Sequence, residues 1–130
     1  MKWPRSFLLL FTLALSTLAF CQPAAPKHVR VRIVEAGGLK VVDPRRLQNG
    51  FRLAVNDPSY KVVRFEVSYI CDDIMAWKVS GDRVSSSEAW LADLLRMHEF
   101  WAEEIILQKG SRLFKARHVI CLVRGGRICG

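Results

Sequence analysis

The sequence predicts a small α+β domain: a β-rich, mostly antiparallel sheet with one amphipathic helix packed on it. Three observations carry this. Within Tyr60–Tyr69, Val63, Phe65, Val67 and Tyr69 alternate with Arg64, Glu66 and Ser68, the period of a strand with one buried face. Val29, Val31 and Ile33 alternate with Arg30 and Arg32 in the same way. Trp90, Leu91, Leu94 and Leu95 recur instead at helical spacing, behind the N-cap candidates Ser85-Ser86-Ser87 and an acidic Glu88 suited to the positive end of a helix dipole.

The first 21 residues read as a secretory signal peptide. Met1 to Arg5 carries Lys2 and Arg5, and Phe7 to Phe20 is an uncharged apolar run too short to be a comfortable permanent anchor. Ala19 and Cys21 supply small residues before a cleavage site. Cys21 also stands where a lipid-modified cysteine would, but the bulky Phe20 before it argues against a lipoprotein. Export to the periplasm or the extracellular space is therefore expected.

Along the remainder, residues 22–37 form an N-terminal arm with Pro23 and Pro26, followed by a strand over His28–Glu35. Gly37-Gly38 is its turn, and Leu39–Val42 returns as its partner, stopped by Asp43-Pro44. Phe51, Leu53 and Val55 alternate between the Asn49-Gly50 and Asn56-Asp57-Pro58 breaks. After the central strand, Ile74–Val79 answers as a hairpin partner and the helix follows. Trp101, Ile105 and Leu107 then suggest a strand from about Glu103. The run Val119–Val123 is continuously apolar, consistent with a strand covered on both faces, and 125–130 is a tail.

The order of these signals over residues 38–124 is similar to the C-terminal domain of the gliding-motility protein GldM, as carried by short exported proteins of Bacteroidetes-type bacteria. The resemblance rests on Gly38-Leu39, the strand Tyr60-Lys-Val-Val-Arg-Phe-Glu-Val-Ser68, the loop Ser80-Gly81-Asp82, the helix opening at Val84-Ser85, and the closing stretch Leu113–Val123. The chain departs from the family pattern at Met97-His98-Glu99, where a glycine turn is usual, and at Lys109-Gly110-Ser111-Arg112 in place of a Gly-Pro-Asp-Gly turn. The resemblance implies a non-enzymatic module of the type IX secretion and gliding machinery, binding or assembling with envelope proteins.

The residues supply little chemistry. His28, His98 and His118 are not spaced as a metal-ligand pair, and no cofactor motif is present. Cys71 is followed by Asp72-Asp73, which would raise a thiol's pKa rather than activate it. No catalytic, cofactor or metal residue is assigned. The alternatives are a small secreted enzyme or inhibitor using Cys71, His98 or His118, and a lipid-anchored envelope protein. Among Cys71, Cys121 and Cys129 one disulfide can form; Cys121 and Cys129, flanking Gly125-Gly126, are the candidate pair.

What remains is charge. The chain carries 20 Lys and Arg against 12 Asp and Glu. Arg30, Arg32 and Arg64 would form a basic patch if they shared the outer face of one sheet, suited to an acidic protein, a glycan or lipid headgroups rather than nucleic acid. These three are the candidate partner-binding residues.

Overall fold

The structure, a computed structural model, describes residues 22–128. The signal-peptide reading of residues 1–21, with Cys21, falls outside the described residues, as does Cys129.

The strand the alternation points to is present, but it lies one in from the edge of the larger sheet rather than at its centre. β4 (Lys61–Cys71) pairs antiparallel on one side with β5 (Asp73–Ser80) and on the other with β7 (Glu99–Lys109). Phe65, Val67 and Tyr69 are buried, but Val62 takes the inward place expected of Val63. A bulge between Val62 and Arg64 inserts one extra residue on β4 and reverses the facing of what precedes it.

β7 carries a second bulge, on its own side of the pair. Four residues of β7 (Glu103–Ile106) face three of β4 (Arg64–Glu66), and Glu104 there adopts φ 49°. The consequence is a change of phase: Phe100 and Ala102 point inward before it, Ile105 and Leu107 after it. The strand expected from Glu103 therefore starts at Glu99, and Trp101 faces away from the core.

The six-stranded sheet is completed by β9 (Val119–Val123), antiparallel to the start of β7, and β8 (Arg112–Lys115), antiparallel to its end. β2 (Val41–Val42) adds to β9 in parallel. Its strand order is β2-β9-β7-β4-β5, with β8 beside β7. So Leu39–Val42 does not return along the first strand. The chain leaves one sheet and joins the other.

That first strand is β1 (Val31–Ile33), shorter than expected, and it pairs with β3 (Gly50–Val55), which also pairs with β6 (Arg83–Ser85). This three-stranded sheet lies over the larger one, β1 against β9, β3 against β4 and β6 against β5. Phe51 from one layer meets Phe100 from the other, ring centroids 5.6 Å apart, within a single apolar cluster. Gly50, at φ 97°, is required where β3 meets β6: a side chain there would run into the carbonyl oxygen of Val84.

The expected amphipathic helix over residues 85–98 is reduced to one turn, α1 (Leu91–Leu94), so a layer of sheet rather than a helix covers β4. The serines expected to cap a helix bond to each other instead. Ser85 Oγ accepts from the Ser87 N–H at 3.2 Å and pairs with Ser87 Oγ at 2.8 Å, closing a local turn. Downstream, the backbone of Arg96 and His98 bonds to Arg127, and Gly126 packs on Met97 and His98 where no Cβ would fit. Leu91 and Leu94 are buried as anticipated, while Trp90 stacks on Trp77 of β5 at 5.0 Å and 10°.

β9 is covered on one face only. Cys121 and Val123 are buried; Ile120 and Leu122 are exposed on the outside of the sheet. The expected closing strand Leu113–Val123 is two strands, β8 and β9, separated by residues 116–118.

Candidate functional site

In the three-stranded sheet, opposite residues share a face. The pairs Val31 with Val55, Ile33 with Leu53 and Phe51 with Val84 point to the core. The residues between them, Arg32, Arg52, Ala54 and Arg83, therefore point outward. One further step of pairing brings in Arg30: its N–H donates to Asn56 Oδ1 at 2.8 Å, and the Asn56 N–H donates to its carbonyl at 3.0 Å. Arg30 and Arg32 thus stand on one face with Arg52 and Arg83.

Arg52 lies directly opposite Arg83. Like charges at such a position destabilise a sheet unless something neutralises them. Among the described residues, no carboxylate forms an ion pair with any of the four guanidiniums. Two nearby acids, Glu35 and Asp57, are engaged elsewhere. Glu35 Oε2 accepts from the backbone N–H of Arg52 at 2.8 Å, not from its side chain. Asp57 accepts from Ser59 Oγ at 2.6 Å and lies 3.4 Å from His28 Nε2; the Ser59 bonds, with a smaller share from His28, hold its carboxyl below the ordinary value.

Arg64 does not belong to this set. It sits on β4 in the other layer, opposite Ser80 and Ile106. The expected patch of Arg30, Arg32 and Arg64 is corrected to Arg30, Arg32, Arg52 and Arg83, because β1 and β4 occupy different sheets. The alternation of Phe51, Leu53 and Val55 already put Arg52 on a polar side. Arg83, in a three-residue strand, left no such signal.

The outer face of the six-stranded sheet is of a different kind. Ile74, Ile70, Trp101, Ile120, Leu122 and Val41 follow one another across it, with Ile74 70% and Ile70 59% exposed. Next to them Glu66 stands between Lys78 and Glu103, and Ser68 Oγ donates to Glu103 Oε1 at 2.8 Å. A groove of about 240 Å³, lined by Ser68, Ile70, Ile74, Trp101, Glu103 and His118, runs through this region. Its charges are of both signs.

The groups named for catalysis in the alternative reading are Cys71, His98 and His118. Cys71 is disulfide-bonded and offers no thiol. Cys121 is free and buried, so the candidate Cys121–Cys129 bridge is corrected; burial pushes its thiol up to about 11. His98 lies 3.7 Å from Glu99, and no hydrogen bond joins it to His118 among the described residues. No cluster of three His, Cys, Asp or Glu side chains suited to a metal is found among the described residues.

Comparison with known protein families, curated proteins and solved structures finds no match. Among the described residues, no helix is long and apolar enough to cross a membrane. The arginine face is therefore judged on its own chemistry: four planar donors in fixed order on a sheet, able to grip carboxylate, sulfate or phosphate oxygens two at a time.

Proposed function

We propose that this chain is an exported, non-enzymatic binding or assembly module of the kind the GldM C-terminal domain provides, and that its partner is an anionic component of the cell envelope. The observation that carries the reading is the juxtaposition of Arg52 with Arg83, beside Arg30 and Arg32, with no carboxylate in ion-pair reach among the described residues. Folding alone gains nothing from holding like charges opposite each other, whereas an anion bound across them turns the repulsion into attraction.

The test is retention of envelope components on the immobilised protein and on an Arg32→Glu/Arg52→Glu variant over a range of salt. The expected outcome is an anionic component held at low salt by the parent, released as salt rises, and not held by the variant. Recovery of the same components by both proteins would remove the arginine face as the partner surface.

A further inference from the structure

The four arginines form a line rather than a disc. Arg30 and Arg32 are two residues apart on β1, about 6.6 Å along the strand. Arg32 is opposite Ala54, so Arg52 lies one strand over and two residues further along, and Arg83 lies one strand beyond that at the same level. With strands about 4.8 Å apart, the track runs obliquely across the sheet for about 16 Å.

What surrounds the track narrows the occupant. The other outward side chains in these pairings are Ala54 and Ser85, so no aromatic or large apolar side chain of the sheet itself stands between the guanidiniums; the exposed Leu39 borders only the Arg32 end. A protein partner is usually anchored by aromatic side chains as well as arginines, and the pairings supply only the arginines. A bilayer is held most firmly where arginines and an insertable apolar surface lie on one side. The exposed Ile70, Ile74 and Ile120 are on the outside of the other layer, facing the opposite way. A ligand held purely by charge and hydrogen bonds, thin enough to follow an oblique line, fits both facts.

We propose that the arginine face binds a linear anionic polysaccharide, its acidic groups received in turn by Arg30, Arg32, Arg52 and Arg83. This rests on the reading that the face is the partner surface, and it names the ligand class. Each guanidinium forks onto a carboxylate or sulfate, and release of counterions from the polymer supplies much of the driving force. Arg64, in the other layer, takes no part.

The experiment titrates the purified protein with polygalacturonate and with a sulfated polysaccharide of similar length. Polyglutamate and vesicles of phosphatidylcholine with phosphatidylglycerol serve as competing anions of other classes. The expected result is polysaccharide binding that weakens at least about tenfold between about 50 mM and about 200 mM salt. Binding should fall by a similar factor in Arg32→Glu/Arg52→Glu and in the milder Arg32→Gln/Arg83→Gln, each checked by melting to be as stable as the parent, and be unchanged in Arg64→Glu. Tighter binding of polyglutamate or vesicles, lost in the same variants, would overturn the polysaccharide and leave the arginine face standing. Polysaccharide binding unchanged in both variants, or no binding of any of the four probes, would overturn the face itself.

Discussion

Single positions in this chain are governed by what burial does to a polar group. Cys121 is 4% exposed, on the inner side of β9, and desolvation holds its thiol protonated up to about 11. The folded value is raised above the ordinary 9.0, so the contribution of this group to stability is whole below that value and is lost as pH rises through about 11. Under non-reducing conditions, a thiol reagent is expected to leave Cys121 unmodified in the native protein and to label it on unfolding. Labelling of the native protein at the rate of a free thiol would contradict its placement. Asp43 behaves in the opposite sense: bonds from the Arg45 side chain and backbone bring it down to about 2. The bonds that hold it ionised fade only as pH falls through that value, so mild acid leaves the turn over Pro44–Arg46 capped.

At the scale of the element, the deciding features are the two bulges. Glu104 occupies the left-handed region, where a β-branched side chain is strained and glycine is not. Its ion pair with Lys115, 3.0 Å long, is exposed and adds little. Glu104→Val is therefore expected to lower stability by about 1–2 kcal/mol, and Glu104→Gly to stay within about 1 kcal/mol of the parent; denaturant melts decide. Equal loss in both variants would show that the ion pair, not the backbone, matters. This position also hides the true phase of β7 from the sequence. Glu103 and Glu104 look like adjacent members of a regular alternation, and only pairing with β4 reveals that one is supernumerary. The helix expected over residues 85–98 shortens to one turn for a related reason. Its apolar spacing is genuine, and Leu91 and Leu94 do reach the core, but a single turn suffices for that. The backbone on either side bonds to a serine turn and to Arg127.

For the whole molecule, two sheets back to back leave two unlike exteriors, one with an oblique line of arginines and one with a row of apolar side chains. The apolar row is not part of the core cluster, so it can be changed without cost to folding. Ile74→Lys/Ile120→Lys is expected to melt within about 1 kcal/mol of the parent and to remain soluble at higher concentration, as light scattering would show. A large drop in melting temperature would mean that this face is covered in the native protein.

The sequence by itself determined that the chain is β-rich, that a strand runs through Tyr60–Tyr69 with Phe65, Val67 and Tyr69 inward, that Ile74–Val79 answers it, and that Arg30 and Arg32 share a side. These follow from local periodicity, which a strand's geometry imposes wherever the chain is extended. Which strand joins which sheet was decided only by tertiary structure: β2 pairs with β9, some eighty residues away, and β4 lies in a different layer from β1. Pairing is a contest between distant segments for backbone hydrogen bonds and burial, and no local pattern records who wins it. For the same reason the partner of Arg30 and Arg32 is Arg52 with Arg83, not Arg64.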